Sequence, residues 1–458
     1  MASDLRTYLS DIESHLLTVR KTVDLRDVSS LINQAAQPVL FDSLKGFPNW
    51  RLTDLLMCSR HVQAKIFGVS PDLVLTTLAD RLLLPPQPPK TAEYGPCKEV
   101  IATGSNAQLT DIPAFQNGEE DMGPALMAMT VCRDPDSGNQ NLAWTRMTPL
   151  DAETATYFIG SSVHMRSILA KHEQRNEPMP MAFVMGLHPA YEIMGSYSVL
   201  DHIRQFGELD MVGPLLGESI EVVPCETQPI MVPSHSEVVI EGYVHGDGRR
   251  VDEGPGPSQA LYYVPGVTKQ PVFQVTAVTR RERPIMRQIN TLLYTDHQSL
   301  IGLPHEALLL QQLRRLDNTV HDVMYTPWSG TLACVIKVTP RYDGQVREML
   351  VHCLSQRFPN VKLAIAIDDD IDIENVKDIH WSLATRVEPA SDVIIIKDMR
   401  GHPIDPSARV AAGDARRRLT GKMAIDATKP PVSRPAERHN FRRTLPFRWG
   451  AADLGDYL

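Results

Sequence analysis

The 458-residue chain carries 46 Lys and Arg against 55 Asp and Glu, a formal net charge of −9, with 43% hydrophobic and 22% charged residues. That length holds two or three domains of ~100–200 residues each, and the composition is that of a globular protein with ample core material. The acidic balance, without a basic stripe and interleaved aromatics, argues against nucleic acid as a partner, and apolar runs such as VIIIK and LAIAI are too short to cross a bilayer.

The opening MASDLRTYLSDIE is acidic and amphipathic, unlike a secretion signal or a transit peptide. Leu5, Leu9, Ile12, Leu16 and Leu17 recur at helical spacing, which predicts an amphipathic helix at the start. PVLFDSLKGFP (38–48) reads as a short buried strand leaving through a Gly-Pro turn, and a largely helical stretch is expected from Trp50 to Leu84. LPPQPPK (84–90) is a stiff connector and the first boundary. From Glu99 the pattern changes to short β runs, with a turn at DPDSG (134–138), a strand NLAWTRM (141–147) and a helix over 159–173. Strands follow at 183–189, 219–225, 236–244 and 272–280. Many short strands with regular turns predict a barrel-like or sandwich core, and a helix over 305–320 leads out of it. The last third alternates strand and helix (331–340, 347–358, 362–372, 391–398), the pattern of an α/β domain. From Asp405 onward, Pro, Arg and charge dominate, and the segment is expected to wrap a neighbour or a subunit partner.

Cys58, Cys97, Cys132, Cys225, Cys334 and Cys353 show no CxxC or CxxH pairing. This predicts free core thiols in a reducing compartment, with the cytoplasm as the expected address. Residues 241–265, EGYVHGDGRRVDEGPGPSQALYYVP, deliver Glu253 into a Gly-Pro-Gly-Pro loop between extended runs. Turn chemistry explains every residue of that loop except the glutamate. A carboxylate on such a stiff loop suits proton transfer, while a solvated turn Glu is the bland alternative.

Asn141 and Arg146 lie on one extended segment at odd separation, so they face opposite sides. A strand-borne Arg can clamp a carboxylate bidentately or make a structural ion pair. His164 sits on an apolar helix, where a hydrogen-bonded core histidine is the commoner outcome. Glu208, in QFGELDMVG, follows a glycine in a loop-like stretch. Asn141, His164 and Glu208 together offer an amide oxygen, an imidazole and a carboxylate, which suit Mn²⁺ or Mg²⁺ better than zinc, although no local spacing makes them a motif. The run Asp368, Asp369, Asp370 and Asp372 lacks the EF-hand pattern and reads as a solvated strand end or interface patch. Neither GxxxxGK[ST] nor a strand-borne GxGxxG is present, which argues against classical ATP and dinucleotide sites.

Taken together, DLRTYLSDIE, LFDSLKGFP, RDPDSGNQNLAWTRM, VPSHSEVVIEGYV, EGPGPSQALYY, AIDDDIDIENVKDIHWSLATR and KMAIDATKP run nearly end to end in an order and spacing that resemble the UbiD family of reversible decarboxylases, which use prenylated FMN. The resemblance implies an α+β fold: an N-terminal α/β segment over 1–95, a central flavin-reductase-like split β-barrel that binds the cofactor over 96–320, and a C-terminal α/β oligomerisation domain over 321–458. It implies that Asn141, His164 and Glu208 hold the divalent metal, Mn²⁺ or Mg²⁺, bridging the cofactor phosphate. Lys422 matches the lysine that approaches the same phosphate, and Ser198 falls near a bound K⁺. Trp144 is placed beside the isoalloxazine, with Arg146 and Glu253 over its reactive face.

One departure stands out. The family pattern E-G-P-[FY]-G-[ED] appears here as Glu253-Gly254-Pro255-Gly256-Pro257-Ser258, and an ordinary hydroxyl is no substitute for a carboxylic acid as proton donor. Glu253, a relay through Ser258, or Asp296, His297 or His305 of the following segment could carry the proton; His297 is the first choice because imidazole titrates near neutral pH. The implied activity is non-oxidative decarboxylation of an aromatic or heteroaromatic acid, of the indole-, pyrrole- or furan-carboxylate kind, with CO2 as co-product. An α,β-unsaturated acid as substrate, or a catalytically impaired subunit of a larger carboxylase, are the alternatives. A flavin prenyltransferase is the expected cofactor supplier, and a homodimer or homohexamer the expected assembly.

Overall fold

In the computed structural model, which describes residues 4–159, 163–197, 207–258, 260–264, 266–287, 289, 296–356, 361–412, 414–441, 443, 444, 446 and 447, the chain opens on helix α1 (Leu5–Asp11). A capping box starts it: Thr7 N donates to the Asp4 side chain at 2.8 Å, and Asp4 N donates to the Thr7 hydroxyl at 2.9 Å. Two of its orphan N–H groups are so satisfied. The helix stops short of the expected length, because Leu17 turns into strand β1 (Leu17–Val19), parallel to β2 (Val39–Phe41). Residues 51–54, expected to be helical, form β3 (Arg51–Asp54) antiparallel to β2, burying Leu52, Thr53 and Asp54 completely. Helices α2 (Arg60–Phe67) and α3 (Val74–Arg81) then follow as expected.

The centre is a closed antiparallel barrel. Strands β4 (Leu126–Arg133), β5 (Gln140–Pro149) and β6 (Thr154–Phe158) form a meander, α4 (Val163–Arg175) leads to β7 (Met179–Met185), and helices α5 (Pro189–Ser196) and α6 (Leu209–Leu216) precede β8 (Val238–Val244). After β9 (Arg250–Glu253), the long strand β10 (Thr268–Arg280) pairs with both β6 and β8, closing a six-strand ring in the order β8-β7-β4-β5-β6-β10. Closure removes the sheet edges. Side chains alternate as the period of 2 demands. Ala128, Met147, Met181, Phe183 and Phe273 belong to the barrel core, whereas Met129, Leu142 and Val184 pack in the helix-covered layer. Phe183 stands edge-on to Tyr157 and Phe273, with ring centroids 5.6 and 5.5 Å apart. The β8–β10 register shifts between Glu241 and Gly242. A Cβ at Gly242 would lie 2.0 Å from the Gln274 carbonyl, so this bulge requires glycine.

Past the barrel, β11 (Ile285–Arg287) returns to lie parallel to β3 and completes the N-terminal sheet. Helix α7 (Asp296–Leu316) then packs against α3, α5 and the next strand. The C-terminal sheet runs β12-β13-β14-β16-β15, from β12 (Val320–Tyr325), β13 (Ala333–Val338), β14 (Leu363–Ile367), β15 (Val393–Arg400) and β16 (Asp414–Ala427). Its middle three strands are parallel, with α8 (Gln345–Leu354) and α9 (Val376–Arg386) in the connections.

Two expectations change here. The segment after Asp405, expected to wrap a neighbour, supplies β16 inside the sheet, where its apolar positions pair with β14. The acidic run is solvated only in part: Asp369, Asp370 and Asp372 are exposed, whereas Asp368 is buried between Arg386 and Arg438 at 3.0 Å each, and Asp370 lies 2.8 Å from Arg386. All six cysteines are free thiols. No helix among the described residues is long and apolar enough to cross a membrane.

Candidate active site

Strand β5 carries two polar centres, five residues and about 17 Å apart at ~3.4 Å per residue. At its start Asn141 Nδ2 donates to Glu208 Oε1 at 2.7 Å, Leu142 N donates to Glu208 Oε2 at 2.9 Å, and His164 Nδ1 stands 3.6 Å from Glu208 Oε1. Glu208 immediately precedes α6, and His164 lies in the first turn of α4. The three residues named from sequence therefore meet, although 67 residues separate Asn141 from Glu208. Asn141 Oδ1 is buried without a hydrogen-bond partner. A buried amide oxygen left bare calls for a ligand, and its neighbours fit a divalent cation held by oxygen and nitrogen. Among the described residues no group of three His, Cys, Asp or Glu side chains makes a metal site unaided; this trio depends on its asparagine.

Toward the far end of β5, Arg146 Nε donates to Glu253 Oε1 at 3.0 Å, and the Thr148 hydroxyl donates to the same oxygen at 3.3 Å. The guanidinium lies over the Phe158 ring, 4.6 Å from its centroid, because Arg146 and Phe158 are cross-strand partners. Its two Nη atoms make no hydrogen bond within the described residues, and Glu253 Oε2 is buried and bare. Burial pushes the Glu253 carboxyl above its usual value, with Arg146 and then Thr148 pulling it back. Glu253 ends β9 on the Thr268 register of β10, so it is a fixed, buried group rather than a solvated turn residue. The Gly-Pro-Gly-Pro loop folds over the pair: a Cβ at Gly256 would stand 2.4 Å from Arg146 Nη1.

The cleft around this pair is lined by Asp121, Met122, Arg146, Thr148, Glu253 and Gly256, among others. Thr148, Phe158 and Asp121 went unnoticed at the sequence level. Asp121 sits in GEEDMG, where glycines and clustered acids carry the signal of an ordinary solvated turn. Asp121 Oδ2 accepts from Asn117 N and Gly118 N, both at 3.0 Å, while Oδ1 is buried without a partner.

The remaining expected residues lie elsewhere. Trp144 is half-buried on β5 between the two centres, its indole N–H donating to the Glu192 carbonyl at 3.2 Å. Ser258 is buried just beyond the cleft lining, its backbone N–H donating to the Tyr262 carbonyl at 2.9 Å. His297 starts α7 with Nδ1 buried and unpartnered, and desolvation brings its pKa down to about 4. Its ring is therefore neutral at pH 7, against the expectation of a group titrating near neutrality. His305 Nδ1 donates to the Ile301 carbonyl at 2.8 Å on the same helix, and its pKa is likewise lowered to about 4 by burial. Lys422 Nζ donates to the Leu354 carbonyl at 2.8 Å inside the C-terminal sheet, not to the Asn141 cluster. Ser198 lies outside the described residues.

A buried ion network backs the site. Arg287 Nη1 lies 2.6 Å from Asp54, Nη2 lies 2.7 Å from Asp296, and Nε lies 3.2 Å from Glu192, all fully buried. Asp296 Oδ1 accepts from Met57 N at 2.9 Å. Desolvation raises Asp296 to about 7, Arg287 notwithstanding. Asp296 is thus a buried structural partner of Arg287 here, a role its sequence context did not disclose.

Comparison with known proteins agrees with this architecture. Residues 90–292 match the family model of the UbiD 3-octaprenyl-4-hydroxybenzoate carboxy-lyase Rift-related domain, and residues 298–427 match the C-terminal domain of the same carboxy-lyase. The gallate decarboxylase of Lactiplantibacillus plantarum is 27% identical over 417 residues, 87% of this chain and 85% of that protein. The UbiD-class enzyme HmfF of Pelotomaculum thermopropionicum, solved in complex with FMN, superposes with a TM-score of 0.88 at 30% identity over 100% of both chains. An evolved dimeric form of HmfF in complex with prFMN gives a TM-score of 0.85 at 29% identity, again over 100% of both chains.

Proposed function

Because the chain belongs to the UbiD family of carboxy-lyases, we propose that it catalyses the reversible, non-oxidative decarboxylation of an aromatic or heteroaromatic acid, of the indole-, pyrrole- or furan-carboxylate kind, with prenylated FMN as cofactor. The observation that carries this is Arg146. Its Nε is fixed by buried Glu253 while both Nη atoms lack hydrogen-bond partners among the described residues, the arrangement of a bidentate carboxylate receptor. When bound, prenylated FMN supplies the electron sink that loss of carbon dioxide requires. The protein's part is to orient the acid through Arg146, to keep water from the cleft, and to hold the protons of its carboxyl groups.

In this reading Asn141, His164 and Glu208 hold the Mn²⁺ or Mg²⁺ that anchors the cofactor phosphate, supported by the bare Asn141 Oδ1. The ~17 Å offset between the two centres on β5 suits a cofactor with an anionic end and a reactive ring. Lys422, the lysine expected at the same phosphate, donates to the Leu354 carbonyl at 2.8 Å. The K⁺ expectation, the prenyltransferase supplier and a homodimeric or homohexameric assembly rest on family membership.

The test is native mass spectrometry with an absorbance spectrum, on protein co-produced with a flavin prenyltransferase. A panel of furan-, pyrrole- and indole-carboxylates plus trihydroxybenzoate follows. Bound prenylated FMN with turnover of a panel acid is the expected result, and the native mass gives the assembly. Folded protein that stays colourless with Mn²⁺ added would overturn the reading in favour of an inactive subunit.

A further inference from the structure

The cleft holds a second acid that the sequence pattern did not place. We propose that Asp121 is the proton donor that replaces carbon dioxide on the product carbon, filling the role left open where Ser258 stands instead of a carboxylate. This rests on the proposed decarboxylation.

Four geometric facts assign the role. Asp121 lines the same cleft as Arg146 and Glu253. Its carboxyl is aimed and held, because Oδ2 is fastened by two backbone N–H groups at 3.0 Å. Its loop is stitched to the Gly-Pro-Gly-Pro segment by Met122 N donating to the Pro255 carbonyl at 3.1 Å, and by Glu120 N donating to the Tyr263 hydroxyl at 3.2 Å. The remaining oxygen, Oδ1, is buried without a partner. The division of labour with Glu253 follows from contacts. Glu253 is tied to Arg146 at 3.0 Å, a cation that favours its ionised form against the pull of burial, whereas Asp121 makes no ion pair within 4 Å among the described residues. Burial raises the Asp121 carboxyl, opposed by the Gly118 and Asn117 amides and by Arg146, which favours a proton-bearing form. In the step, the bond from ring carbon to carboxylate breaks and carbon dioxide leaves. The electron pair passes to the ring carbon, the Asp121 O–H bond breaks, and its proton forms the new C–H bond. Water then returns a proton to Asp121.

Two measurements test this. In wild-type and D121N holoenzyme, exchange of ¹³C-bicarbonate into the best-turned-over panel acid reports carbon–carbon cleavage, and exchange of product ring hydrogen in D2O reports protonation. The expected result is a loss of at least ~100-fold in hydrogen exchange with carbon exchange changed less than tenfold, and partial recovery in D121E. Hydrogen exchange within tenfold of wild type, or both exchanges lost together in a protein with wild-type melting, overturns the assignment. Second, wild-type-minus-D121N infrared difference spectra of protein without added cofactor should show one carboxyl band titrating above the ordinary aspartate range. A band at or below that range also overturns it. This readout stands even if no panel acid is turned over, which would count against the decarboxylase reading instead.

Discussion

Gly256→Ala isolates the Arg146–Glu253 pair without touching either residue. Gly256 has no left-handed φ, so its backbone accepts alanine without strain. The new Cβ would stand 2.4 Å from Nη1, 2.8 Å from Cζ and 2.9 Å from Nη2 of Arg146. Ordinary non-bonded contact is ~3.5–4.0 Å, so the guanidinium must retreat by roughly 1 Å. Phe158 stacks on it at 4.6 Å and limits how it can move. The 3.0 Å bond to Glu253 then stretches past hydrogen-bonding range. A hydrogen bond to a charged group is worth ~1.5–3 kcal/mol, which converts to a roughly ten- to hundredfold fall in kcat/KM. Losing that contact also moves the Glu253 pKa. The sign is upward, since burial already raises this carboxyl and Arg146 is its main opposing influence. The assay is the pH profile of kcat/KM for wild type and G256A on the best panel acid, with thermal melts as a folding control. A profile within threefold of wild type, and an unmoved acid limb, would refute the claim that the pair must be held in register.

Asn141→Ala removes the bare amide oxygen, so Mn²⁺ affinity measured by calorimetry should fall about tenfold or more with little change in melting temperature. Arg287→Leu leaves Asp54, Glu192 and Asp296 buried around no cation, and should cost ~3–5 kcal/mol in denaturant unfolding; a loss below 1 kcal/mol would contradict the network. Asp296 has a folded pKa raised by burial to about 7 from 3.8, so the stability tied to its proton is full below pH 4 and disappears as pH rises through 7. The unfolding free energy of wild type relative to D296N should accordingly decline between pH 4 and 7, and a difference that grows over that window would show the opposite linkage.

Legibility of the chain followed how locally each feature is encoded. The barrel strands at 140–149 and 238–244 announce themselves by alternation, and the structure keeps them. Strand β3 hides because RLTD joins a sheet through partners at 39–41 and 285–287, which no local window contains. Strand β16 hides because DARRRLTGKM is charged on its open stretch, and only its apolar end enters the parallel core. Within the site, Glu208 and His164 were legible through the family pattern rather than their own surroundings. Asp121 was invisible because burial, which separates it from a solvated turn acid, comes from the loop at Pro255 and Tyr263 more than 130 residues away.

The return of β11 to β3 sets a schedule for biosynthesis. Arg287 and Asp54, which close that seam, are 233 residues apart, and translation at ~5–20 residues per second leaves the first three strands waiting roughly 10–50 s for their fourth. During that interval β3 presents an unpaired edge beside Leu52, which ends up wholly buried, and exposed edges of this kind recruit other chains. The N-terminal 95 residues expressed alone, without the strand that completes their sheet, should therefore aggregate rather than fold.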